Sequence, residues 1–83
     1  MSDYEKKQLE RAFRKYTNQH LEKPSRCKNL VQIQFFINEL STKISDYKQR
    51  FNYVPDHAYM LLSDYNTSQN KLIFSNFRQA DTF

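Results

Sequence analysis

Glycine is absent from all 83 residues, and so is tryptophan. Without glycine the chain lacks the residue that normally fills positive-φ turns, phosphate-cradling loops and helix C-caps. That argues against a nucleotide-binding loop and favours helices joined through Asn-based turns. The one cysteine, Cys27, cannot close an internal disulfide. No apolar run approaches the ~20 residues of a membrane span, and the first residues lack the apolar stretch of a signal peptide. These absences predict a cytoplasmic protein in a reducing compartment, with no membrane contact. Asn66-Thr67-Ser68 matches a glycosylation acceptor, which has no meaning in that location.

What the chain does contain is rings and unevenly placed charge. Seven Phe and six Tyr must supply much of the buried area of one small domain, because a chain of this length has a thin core. The net charge is +4. Residues 1 to 28 hold eight basic and four acidic side chains, whereas residues 29 to 83 hold five of each. All of the excess positive charge therefore lies in the first third.

The longest regular pattern runs from Leu30 to Phe51. Leu30, Ile33, Ile37, Leu40, Ile44, Tyr47 and Phe51 repeat at alternating spacings of three and four, which is one apolar seam on a long helix. Asn29 and Gln32 form a start signal. Lys48 and Arg50 suit the negative end, and Asn52 and Pro55 stop it. The predicted helix is 29–52. Phe35 and Phe36 widen its apolar face, so it is expected to pack on two sides.

Ser2 and Glu5 form a capping box for an earlier helix, 3–19, with Asp3 favourably placed in its first turn. Leu9, Ala12, Phe13 and Tyr16 gather on one side of that helix, and Lys7, Arg11, Arg14 and Lys15 on the other. Pro24 places a connection at residues 21 to 28. The C-terminal unit, 55–78, reads two ways. Its apolar runs, Ala58 to Tyr65 and Lys71 to Phe77, flank the polar stretch Asn66 to Asn70 and fit either a β-hairpin or two short helices. Pro55 and Asp56 favour helix for the first run. The fold class expected is a single, mainly α domain.

No motif names an enzyme, and no cofactor or metal is predicted. Cys27 stands between Arg26 and Lys28, which should lower its thiol pKa, but no base accompanies it. His20 and His57 could serve as acid and base only if the fold joined them. Asp64, Asn66, Ser68 and Asn70 alternate like the opening ligands of a calcium loop. Gln69 and Ser75 then replace the Gly and Glu that the loop requires.

Binding is the remaining class. The expected function is a small regulator or inhibitor that docks onto a larger protein or ribonucleoprotein. Lys7, Arg11, Arg14 and Lys15 would steer the encounter, with Tyr16, Tyr53, Tyr59 and Phe83 as anchors. Size and an Asn-, Lys-, Ile- and Tyr-rich composition suggest a phage or mobile-element adaptor. The alternative is direct nucleic-acid binding, with the same cations on the phosphate backbone and Tyr53, Tyr59 and Tyr65, six apart, as stacking platforms. A homodimer built on the Leu30 to Phe51 helix is a third reading.

Overall fold

In the computed structural model the backbone is described for residues 1–81 and the side chains for residues 1–75. The fold is all α: α1 Asp3–His20, a single 3-10 turn at Pro24–Arg26, α2 Leu30–Phe51 and α3 Asp56–Asp81. Each boundary has a local cause. The Glu5 N–H donates to Ser2 Oγ at 3.2 Å, which caps α1. Asn29 Oδ1 accepts the Gln32 N–H at 2.8 Å and caps α2, while Gln32 Oε1 accepts the Lys28 N–H at 3.0 Å. Asn52 ends α2 in the left-handed region (φ 52°, ψ 34°), returning its N–H to the Lys48 carbonyl at 3.0 Å. Asn does there what Gly commonly does at helix ends.

The C-terminal unit is neither a hairpin nor two short helices. It is one helix, and the polar stretch Asn66 to Asn70 continues through it without a break. No Gly or Pro interrupts this stretch, and the propensity cost of Asn, Thr and Ser in a helix is only a few tenths of a kcal/mol each. Burial of Ala58 and Tyr65, with partial burial of Leu61, Leu62 and Leu72, outweighs that cost.

α2 and α3 run antiparallel and approach each other more closely than any other pair of elements. Phe36 stacks on Tyr65 with ring centroids 6.2 Å apart, and Ile33, Leu40, Ala58 and Tyr65 are fully buried. Every residue of the long seam is buried or half-buried. The seam is thus largely covered within the chain.

α1 is attached differently. Phe13, fully buried, meets Tyr47 edge-on at 5.0 Å and His57 at 5.5 Å. The Tyr53 hydroxyl donates to Glu10 Oε1 at 2.7 Å, and the Tyr65 hydroxyl donates to the Glu22 carbonyl just beyond α1. The assembly measures 58 × 20 × 16 Å with a radius of gyration of 15.4 Å. A compact chain of this length would have about 12 Å, so the molecule is a rod.

Candidate binding surfaces

Lys7, Arg11, Arg14 and Lys15 are all exposed, on the side of α1 turned away from Phe13. The ion pair Arg50–Asp46, at 3.3 Å, is the only one among the described residues, so no carboxylate neutralises these four cations. Glu10 is turned to Tyr53 instead. Tyr4, 71% exposed, precedes Lys7 by three residues and Arg11 by seven, and so shares their stripe. That ring went unnoticed in the sequence, although its spacing was visible there.

The three expected tyrosine anchors do not form one surface. Tyr16 is half-buried. Lys43 Nζ lies 4.7 Å above its ring, and burial, reinforced by Glu39, raises its pKa. Tyr53 is half-buried too, and its hydrogen bond to Glu10 pushes its pKa up to about 12. Both rings hold α1 in place. Tyr59 is 49% exposed and lies beside Lys48, Asn52 and Val54. Tyr65 is fully buried, so it offers no stacking face. Phe83 lies outside the described residues.

The chemical candidates separate. Cys27 is buried and its thiol donates to the Lys23 carbonyl at 3.6 Å. Burial, helped by Glu22, raises its pKa, the reverse of what Arg26 and Lys28 suggested, because both of those side chains point into solvent. His20 rests against Tyr16 at 5.2 Å, whereas His57 faces Phe13. No hydrogen bond joins the two among the described residues. His57 Nε2 is buried with no partner, and its pKa is lowered by burial first and by Arg14 second. The calcium-like residues 64 to 70 lie on α3 and form no loop. Among the described residues, no cluster of His, Cys, Asp or Glu could hold a metal ion.

A further surface spans α2 and α3. Near the start of α2 and towards the end of α3, Val31 is 83% exposed, Phe35 57% and Ile73 49%. Between them runs a chain of side-chain amides. Gln69 Nε2 donates to Gln34 Oε1 at 2.7 Å, and Gln34 Nε2 donates to Asn38 Oδ1 at 3.1 Å. Together these residues line a shallow trough between the two helices.

Among the described residues, no helix is long and apolar enough to cross a membrane. Compared with known proteins, the chain matches no family model, no curated sequence and no solved structure at a significant level.

Proposed function

We propose that this protein is a non-enzymatic regulator or inhibitor that acts in the cytoplasm by docking onto a larger, negatively charged partner, a protein or a ribonucleoprotein. One observation carries the reading: four exposed cations, Lys7, Arg11, Arg14 and Lys15, share one side of α1 with no ion pair among the described residues. Such a stripe accelerates encounter with an acidic surface and fixes orientation on it. Among the described residues, the dispersed histidines and the buried, hydrogen-bonded thiol of Cys27 form no assembled acid, base or nucleophile. The small size and the Asn-, Lys-, Ile- and Tyr-rich composition fit an adaptor of phage or mobile-element origin.

Tyr4 favours a second reading. A ring exposed among cations is what a nucleic-acid backbone with accessible bases would meet. One experiment separates the two. The tagged chain and a variant with Lys7, Arg11, Arg14 and Lys15 all changed to Glu are used to capture partners from a lysate, with and without nuclease. A dominant protein that survives nuclease and is lost with the variant supports the regulator. A partner set that vanishes on nuclease treatment supports nucleic acid, and binding should then fall with salt at a log-log slope of about −0.7 to −0.9 per phosphate. Equal capture by both chains at low salt would remove the stripe from either role.

A further inference from the structure

His57 of α3 stands where α1 is anchored. Phe13, the most deeply buried residue of α1, meets the His57 ring edge-on at 5.5 Å and Tyr47 of α2 at 5.0 Å. The imidazole Nε2 is buried in that contact and has no hydrogen-bond partner. In a neutral ring this nitrogen can be the bare acceptor, whereas in a protonated ring both nitrogens are donors. An imidazolium here would bury a charged N–H with nothing to accept it, which costs far more than a bare acceptor.

The groups around the ring do not remove that cost. From α1, Arg14 repels a second cation, and Glu10, which would attract it, already accepts the Tyr53 hydroxyl at 2.7 Å. Asp56 attracts it from the first turn of α3, and α2 presents the Tyr47 phenol to the same Phe13 ring. Burial first and Arg14 second hold the pKa of His57 below the ordinary histidine value. Water reaches Nε2 most cheaply if α1 moves away. Ile33, Leu40, Ala58 and Tyr65, fully buried between α2 and α3, can stay in contact when it does.

We infer that His57 is an acid-sensitive latch: protonation of its imidazole releases α1, and with it the cationic stripe, from an α2–α3 pair that stays folded. A released α1 of 18 residues is marginal as a helix in water, so the stripe loses its fixed spacing. Where the stripe docks a partner, a consequence that rests on the function proposed above, binding weakens in acid. Added positive charge alone would strengthen it.

Hydrogen exchange on the free chain, from about pH 7.5 to about pH 5, tests the latch, with each rate divided by the intrinsic rate at that pH. No partner enters this measurement, so the latch and the docking reading can fail separately. Protection of α1 should fall about threefold or more while α2 and α3 keep theirs. His57→Phe should abolish the fall, and His20→Gln, which removes the other imidazole, should leave it intact. If His57→Phe loses helix content by circular dichroism, an NMR titration of the parent chain decides, and the fall in α1 protection should follow the His57 ring protons. Unchanged α1 protection overturns the inference, as does a fall shared equally by all three helices, a fall that survives in folded His57→Phe, or one that follows His20.

Discussion

The two helix contacts in this molecule are built from different materials. α2 and α3 lie close along their length, joined by a tight Asn52–Pro55 connection and packed through Ile33, Leu40, Ile44, Ala58 and Tyr65. α1 stands further off. One buried ring, Phe13, the half-buried Leu9 and Leu21, two tyrosine hydroxyls and the aromatic faces of Tyr16 and Tyr47 under Lys43 hold it there. Aliphatic packing depends little on pH, whereas a contact made of hydroxyls, carboxylates and an imidazole responds to it. The helix carrying the cationic stripe is therefore also the one held by titratable groups.

The sharpest way to break this distinction is Phe13→Ala, which should cost about 4 kcal/mol. Hydrogen exchange should then show α1 losing protection while α2 and α3 keep theirs. Uniform loss along the chain would mean that the two contacts are one cooperative unit. Leu40→Ala, inside the α2–α3 contact, should cost about 3 kcal/mol and lower the urea midpoint for the whole molecule, with α1, α2 and α3 unfolding together.

Smaller effects test the polar part of the α1 contact. Tyr53→Phe removes the hydrogen bond to Glu10 and should cost about 1 kcal/mol, read from the same urea titration. Because the folded pKa of Tyr53 lies at about 12, above its free value of 10.0, the protonated hydroxyl stabilises the fold below pH 10. That contribution is lost as pH rises from 10 towards 12, so the parent and Tyr53→Phe melting curves should converge at alkaline pH.

His57 supplies the acid limb. Its folded pKa lies below the free value of 6.5, so the unfolded chain binds the proton more readily and stability falls as pH drops below 6.5. Phe13, Arg14 and Glu10 from α1, together with Asp56 on its own helix, surround the imidazole, and the two carboxylates offset part of the effect. His57→Phe keeps a ring against Phe13 and should flatten the acid limb of a melting-temperature series while changing little at pH 8. An unchanged acid limb would assign that sensitivity to other groups.

Much of the architecture was legible because its signals are local. Ser2, Asn29 and Asn52 cap their helices through neighbours three or four residues away, and the Leu30 to Phe51 seam needs only helical periodicity to appear. The exposed cations of α1 follow from the same projection. The exposure of Val31 and Phe35 on the same helix was not legible in the spacing, because only packing decides which apolar side chains no other helix covers.

The sequence by itself determined a mainly α chain, two of its helices nearly to the residue, and a cationic stripe on the first, since each of these rests on hydrogen bonds or periodicities within a few residues. Tertiary structure alone decided three further matters. Residues 56 to 81 became one helix because its buried side chains rest on α2 and not on each other. Tyr53 and Tyr65 turned inward because carboxylate and carbonyl partners 43 residues away accept their hydroxyl protons. The Cys27 thiol became harder to ionise because packing buried the sulfur while its basic neighbours extended into water, and packing depends on contacts that no short stretch of sequence contains.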